Sequence, residues 1–450
     1  MPTTVISTDL IRTDQDGYWL TVPATQLVVL AGVTVAATGG AEGHGILNQA
    51  VSCSFVIQGT VIGFRGLVSE TRAAVTVAST GSLIGDSIGL QLIDGSGFVH
   101  NSGQILAGAI GISAAGATTI LNTGTISGPT ALSLSTSDDV VTNAGTIIGT
   151  VDLSSGNDLF DNTAGTVLGT VFLGGGDDTY LGGVGTDRVV DGLGTDDIAL
   201  GAGNDTLVAS ADQTFDFFDG GPGTDTLDLR SAMGKSTITD LSLGVLRGGA
   251  LGTAEITGFE RFIGSYGSNR MIGDDQANTL IGNAGNDTLL GGGGNDLIRT
   301  GEGANRAEGG KGNDRLYGGS GRDTLFGGDG NDLIYGSYDV DLMEGGAGRD
   351  RFVFRDVDEL FPSTGTGMDR IFDFAPGTDI IDLSQIDWNA TGPDSAFVFR
   401  GTGAITAAGQ VAIRQTGGNT LIDISWQTAG VANSIRLDGI LTLTAADFVL

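Results

Sequence analysis

The run GGKGNDRLY GGSGRDTLF GGDGNDLIY at 309–335 writes one nonapeptide three times with nothing between the copies. No other feature restricts the possible folds of this chain so strongly. Glycine recurs at positions 1, 2 and 4, and it loses more backbone freedom on ordering than any other residue. Aspartate recurs at position 6, so regular stacking places like charges above one another. A stable fold needs something that offsets both costs. From 264 to 353 the chain divides into ten contiguous nonapeptides, beginning GSYGSNRMI and ending GGAGRDRFV. A block at 173–208 adds LGGGDDTYL, GGVGTDRVV, DGLGTDDIA and LGAGNDTLV, with isolated copies at 153–161 (LSSGNDLFD) and 220–228 (GGPGTDTLD). Position 8 is apolar, as at Leu289, Ile298, Leu316, Leu325, Ile334 and Phe352. One inward apolar residue between glycine turns describes a very short strand. A single unit buries nothing useful, whereas two per coil, stacked in parallel, bury a continuous apolar row.

A second, longer repeat precedes the first. Gly59, Gly81, Gly103, Gly124, Gly145 and Gly165 follow one another at spacings of 22, 22, 21, 21 and 20, within copies such as NSGQILAG, NTGTISG and NAGTIIG. About 21 residues accommodate three short strands and three tight turns, one rung of a parallel β-solenoid. Asn101, Asn122 and Asn143 then stack as an amide ladder. Residues 229–263 lack the glycine pattern but keep alternating apolar positions, and are expected to form strands that continue the stack.

Composition limits the function classes. Seventy-nine glycines in 450 residues suit a repeat body, and a 40% apolar fraction argues against disorder. The formal charge of −32 repels nucleic acid and anionic lipid and attracts cations. Aspartate far outnumbers glutamate, a bias that suits short carboxylates in tight oxygen-ligand turns. Cys53 is the single cysteine, so no internal disulfide forms. The first twenty residues show no basic n-region and no apolar core, so a cleaved signal peptide is not expected, and LTVPATQLVVLAGVTVAA at 20–37 reads as strands rather than a membrane span.

G-G-x-G-x-D-x-U-x resembles the repeat of the RTX (repeats-in-toxin) family of secreted calcium-binding proteins, with hemolysin-type repeats, over roughly 153–450. The chemistry points the same way on its own. Ca2+ takes roughly six to eight oxygens, glycine turns can aim their carbonyls inward, and a divalent cation turns carboxylate repulsion into attraction. The resemblance implies an all-β fold, an elongated parallel β-solenoid continuing into a calcium-binding parallel β-roll. It implies several Ca2+ ions held by Asp178, Asp187, Asp196, Asp205, Asp225, Asp287, Asp296, Asp314, Asp323, Asp332 and Asp350. With two nonapeptides per coil, Asp296, Asp314, Asp332 and Asp350 lie on one edge in an unbroken row. The other edge has Asn305 in place of aspartate and Asp339 in place of a turn glycine, and is expected to be gapped.

The expected organisation is an N-terminal solenoid at 1–152, a first repeat block at 153–228, connecting strands at 229–263, a β-roll at 264–353, and a cap at 354–450. The cap, with its terminal Asp447-Phe448-Val449-Leu450, resembles the uncleaved signal of type I secretion substrates, which implies the type I machinery as a partner and an extracellular destination. Self-association or a cell-surface glycan are further expected partners. Enzymatic readings find little support. His44 and His100 are the only histidines and neither lies in HExxH, which excludes the usual zinc protease. GDSIG at 85–89 matches G-x-S-x-G, but Ser87 falls inside a solenoid rung rather than on a strand-to-helix elbow. A polysaccharide lyase or epimerase on the solenoid is the alternative, with Arg12, Arg65, Arg72 and Tyr18 as its candidate groups.

Overall fold

The computed structural model describes residues 3–12, 17–20, 26–37, 43–49, 53–93, 96–232, 235–248, 251–355, 367–386, 396–425 and 433–450. Among these residues the regular elements are β-strands, apart from the 3-10 turns Arg230–Ala232 and Ala445–Asp447. None of their helices is long and apolar enough to cross a membrane. Of the expected strands at 20–37, residues 21–25 lie outside the described set, as do 356–366, 387–395 and 426–432 of the expected cap. The chain divides into two compact units, Met1–Leu227 with Leu251–Phe259, and Asp228–Ala250 with Glu260–Leu450.

The first unit is a parallel β-solenoid. One coil runs through the strands Gly97–Asn101, Gln104–Ala107 and Ile110–Ala114. These are the three short strands that a 21-residue rung requires. The next coil opens with Thr118–Asn122, which sets Val99 beside Ile120. Val141, Phe160, Tyr180 and Ile198 continue that inward column, and all are buried. Alternation does the sorting: in Gly97–Asn101, Val99 and Asn101 face inward while Phe98 stays exposed. Burying each such side chain contributes about 1.5–3 kcal/mol.

In the second unit the nonapeptides form a parallel β-roll with two units per coil. Leu297 pairs with Arg315, Arg315 with Leu333 and Leu333 with Arg351, each eighteen residues on. The opposite strand row carries Leu289, Ala307, Leu325 and Met343 in register. The position-8 residues of both rows are buried.

Residues 229–263 correct one expectation. Thr237–Asp240 joins the stack in parallel against Arg270–Ile272, but Val245–Gly248 returns antiparallel to it as a hairpin. Gly244 at φ +65° permits the reversal, and the Asp240 carboxylate accepts from Ser242 Oγ and from the Leu243 N–H. Gly252–Thr257 lies parallel to Phe215–Asp219 in the first unit. Further along the second unit, Gln410–Thr416, Asn419–Ser425 and Asn433–Asp438 form an antiparallel meander, where Gly417 and Gly418 turn at φ +58° and +79°.

Candidate cation-binding columns

Position 6 of every nonapeptide closes a turn, and the coil repeat stacks these residues into columns. In the roll, Asn278 N–H donates to Asp296 Oδ1 (2.7 Å), Asp296 N–H to Asp314 Oδ1 (2.7 Å), Asp314 N–H to Asp332 Oδ1 (2.8 Å), and Asp332 N–H to Asp350 Oδ1 (2.9 Å). The second column runs from Asn269 through Asp287, Asn305, Asp323 and Asp341 to Asp369 by the same contact. In the first unit Asp178 leads to Asp196 and Asp216, and Asp187 leads to Asp205 and Asp225. Position 5 carries a ladder of opposite direction, in which Asn313 N–H donates to Asn295 Oδ1 and Asn331 N–H to Asn313 Oδ1, both at 2.7 Å.

In most of these carboxylates one oxygen is thus bonded and the other has no donor. Oδ2 is buried without a hydrogen-bond partner in Asp178, Asp187, Asp196, Asp205, Asp287, Asp296, Asp314, Asp323, Asp332, Asp341 and Asp350. A buried polar atom left this way carries a desolvation cost of about 1–3 kcal/mol, more when charged. Burial pushes these carboxyls up: Asp296 and Asp332 to about 7, Asp350 to about 6, and Asp323 to about 7, with neighbouring aspartates adding like-charge repulsion in the first three and Asp339 in the last. Asp341 rises to about 10, through burial first and the nearby Asp369 second.

The unbonded oxygens share their hollow with backbone carbonyls. A Cβ added at Gly291 would collide with Asp296 Oδ2 and with the Gly309 carbonyl; one at Gly309 would meet Asp314 Oδ2 and the Gly327 carbonyl. Position 1 must be glycine here because both oxygens occupy the space a side chain would need. The turn at Asn269 shows what else faces that space. Its Nδ2 donates to the carbonyls of Ser265 (3.0 Å), Gly267 (2.8 Å) and Gly282 (3.1 Å) and to Asp287 Oδ1 (3.1 Å). These are positions 2 and 4 of one turn and positions 1 and 6 of the next. An amide nitrogen therefore sits among oxygens contributed by two successive coils. Where aspartate replaces this asparagine, the donor is lost and the oxygens remain. Among the described residues no group of three or more acidic, histidine or cysteine side chains converges. A cation would be held chiefly by carbonyls with one or two carboxylates, a hard, anionic set that fits Ca2+.

Turn 300–305 likewise departs from the aspartate turns of the roll. Thr300 Oγ1 donates to the Gly318 carbonyl, and Asn305 Nδ2 donates to the Gly303 carbonyl at 3.3 Å. As at Asn269, side-chain donors thereby serve carbonyls that the aspartate turns leave facing the hollow. The first column ends equally plainly. Asp379 Oδ1 accepts from Asp350 N–H (3.1 Å) and its Oδ2 from Ala375 N–H (2.7 Å), so both oxygens are used. Asp373 accepts from the N–H groups of Gly345 (3.0 Å) and Gly346 (2.7 Å).

All eleven aspartates expected as ligands stand in these columns. Sequence reading missed Asp341, because GSYDVD breaks the glycine pattern although it keeps aspartate in sixth place, and it missed Asp369 and Asp379, which lie outside the nonapeptides. It also missed Asp191 and Asp212. These serve as structural acceptors: Asp191 Oδ1 takes the N–H groups of Gly192 (2.7 Å) and Ser210 (2.6 Å), and Asp212 Oδ2 takes Gly194 N–H (2.7 Å). Of the enzymatic candidates, Arg65 pairs in register with His44 on adjacent parallel strands. Ser87 lies within the strand Ser82–Leu92, and His100 Nε2 is 3.3 Å from Ser102 Oγ.

The fold and these columns define a class: parallel β-coils whose turns stack buried aspartates against backbone carbonyls. A family model described as the RTX calcium-binding nonapeptide repeat (4 copies) matches residues 172–207, 263–298, 292–325, 299–334 and 317–352. The chain carries RTX repeats, and such repeats bind Ca2+. No curated protein matches this chain. Among solved structures, the AlgE6R2 subunit of the Azotobacter vinelandii mannuronan C5-epimerase is 22% identical at a TM-score of 0.21, covering 40% of this chain and 91% of its own. The AlgE6R3 subunit of that epimerase is 25% identical at 0.21, covering 40% and 76%. Extracellular lipase LipA from Serratia marcescens is 14% identical at 0.17, covering 71% and 41%.

Proposed function

We propose that this chain is a secreted protein that calcium folds after type I export, with a structural or adhesive role at the cell surface or in an extracellular matrix. The observation that carries the reading is the pairing, in turns such as those of Asp296, Asp314 and Asp332, of a buried, donorless aspartate oxygen with inward carbonyls. Asp178, Asp187, Asp196, Asp205, Asp225, Asp287, Asp296, Asp314, Asp323, Asp332 and Asp350 are the proposed ligands. The column Asp296–Asp314–Asp332–Asp350 fills continuously. The second column is interrupted at turn 300–305, whose own donors serve its carbonyls. The ion supplies charge and coordination that the peptide lacks, and the chain supplies the oxygens in fixed register.

Export fits this chemistry. At cytosolic calcium levels, sites of the weak extracellular class stay empty, and the array remains unfolded. Phe448–Val449 pairs with the strand Ile380–Asp382, and the Asp447 carboxylate accepts from Gly377 N–H (2.6 Å). Recognition of this tail by an export machine therefore belongs to the unfolded chain. The charge of −32 and the repeating acidic turns suit a matrix or adhesive role better than binding to another polyanion.

The test is a calcium titration of the chelator-stripped chain, followed by far-ultraviolet circular dichroism. Coil converting cooperatively to β-structure on adding calcium is the expected result. A β-signal complete in chelator and unmoved by calcium would sink the folding claim. Calcium-dependent assembly would then support the adhesive role, whereas unsaturated or epimerised products from an acidic glycan would replace it with an enzymatic one.

A further inference from the structure

We propose that the cation column of the first unit extends N-terminally beyond the repeats that the family model matches, with calcium held beside the unbonded carboxylate oxygens of Asp158 and Asp139. The inference rests on the calcium reading of the repeats, but its residues lie N-terminal to the matched repeats: Asp158 in the isolated copy at 153–161, and Asp139 in the longer-period solenoid, where the G-G-x-G-x-D pattern has faded. The six residues that precede and include each column aspartate read LSTSDD at 134–139, LSSGND at 153–158 and LGGGDD at 173–178.

Asp139 and Asp158 are 1% and 3% exposed. Each repeats the contact of the roll aspartates. Thr118 N–H donates to Asp139 Oδ1 (2.6 Å), Asp139 N–H to Asp158 Oδ1 (2.6 Å), and Asp158 N–H to Asp178 Oδ1 (2.8 Å). Oδ2 of both has no hydrogen-bond partner, and the buried Ser135 Oγ of the first turn has none either. Turn 153–158 also has the backbone of a cation turn. Ser154 and Gly156 stand at φ 75° and 128°, where Gly174 and Gly176 of the next turn stand at 108° and 127°. A Cβ at Gly174 would collide with the Ser154 carbonyl, and one at Gly176 with the Gly156 carbonyl, so both carbonyls point at the following turn. Positions 2 and 4 supply the same oxygens around Asn269 Nδ2.

The other corner of the same coils shows what a cation-free column looks like. Asn101 Nδ2 donates to Asn122 Oδ1 (2.8 Å), Asn122 Nδ2 to Asn143 Oδ1 (2.7 Å), and Asn143 Nδ2 to Asn162 Oδ1 (2.7 Å). An amide is both acceptor and donor, so the ladder completes itself. A carboxylate only accepts, and a column of carboxylates needs a cation. One corner is thus self-sufficient down to Asn162, while the opposite corner requires metal from Asp139 onward.

The test compares full-length wild type with Asp139→Asn/Asp158→Asn and with Asp314→Asn/Asp332→Asn in the roll. Bound calcium is measured by equilibrium dialysis, and hydrogen exchange follows residues 134–158. Asparagine keeps the Oδ1 acceptor, so both variants retain the backbone contact. Each double variant is expected to bind fewer ions than wild type. In wild type, exchange at 134–158 is expected to slow when calcium is added. Unchanged ion binding in Asp139→Asn/Asp158→Asn beside a loss in the roll variant overturns this inference alone. So does protection of 134–158 that is equal in chelator and calcium. Wild type that binds no calcium overturns the reading of the roll and this inference together.

Discussion

At Gly309 the turn leaves no room for a side chain, because a Cβ would meet Asp314 Oδ2 and the Gly327 carbonyl. Both atoms are fixed by the coil. Gly309→Ala is therefore expected to cost about 1–3 kcal/mol in saturating calcium, read from denaturant midpoints. Gly185 is the control, since a Cβ there meets nothing within 4 Å. Equal midpoint shifts for the two alanine variants would show that the hollow imposes no constraint. Thr300 and Asn305 make the opposite case, two side chains that occupy donor positions in their turn. Thr300→Gly with Asn305→Asp removes both donors and restores the motif. The double variant is expected to bind more calcium than wild type and to be less stable in chelator; unchanged stoichiometry would show that the gap has another cause.

The corner ladders separate two kinds of coil element. In the Asn101–Asn162 ladder each amide supplies what its neighbour lacks, so stability there does not depend on an ion. Asn122→Ala removes the acceptor of Asn101 Nδ2 and the donor to Asn143 Oδ1. It is expected to cost about 1–3 kcal/mol, equally in chelator and in calcium. Asp314→Asn should lower stability only when calcium is present. If the two variants respond alike to calcium, the distinction between amide and carboxylate columns fails. Elsewhere the elements depend on local turn chemistry, as in the Thr237–Gly248 hairpin, where Asp240 and Gly244 reverse a chain whose apolar alternation alone reads as one more stacked strand.

Across the whole molecule the buried aspartates set the response to pH. Burial raises Asp139, Asp178, Asp187, Asp287 and Asp350 to about 6, Asp158, Asp296, Asp323 and Asp332 to about 7, and Asp196 to about 8. In the unfolded chain these groups titrate near the ordinary value of about 3.9. Between the two values the folded, calcium-free chain holds more protons than the unfolded one, so its stability falls as pH rises. That stability is fully present below about pH 4 and is lost through about pH 6 to 8. Calcium needs the ionised carboxylates, so its stabilisation grows over the same window. Urea midpoints should therefore decline with pH in the stripped protein and decline less, or rise, in calcium; parallel curves would contradict the linkage.

The nonapeptide period, the inward position 8, the two units per coil and the asparagine ladder all follow from the sequence, because period and alternation are local properties that stacking only repeats. The calcium chemistry was equally legible, since glycine turns with a sixth-place aspartate are written out in order. Tertiary structure decided which oxygens have donors. Asp341 lacks the glycine signature yet stands in a column with Oδ2 unbonded, whereas Asp379 stands in a column with both oxygens bonded. Asp139 shares a buried column with Asp178 although its turn has no glycine, because column membership depends on the register between coils rather than on the motif. Hydrogen-bond satisfaction is a property of neighbours brought together by folding, and no spacing within a single turn encodes it.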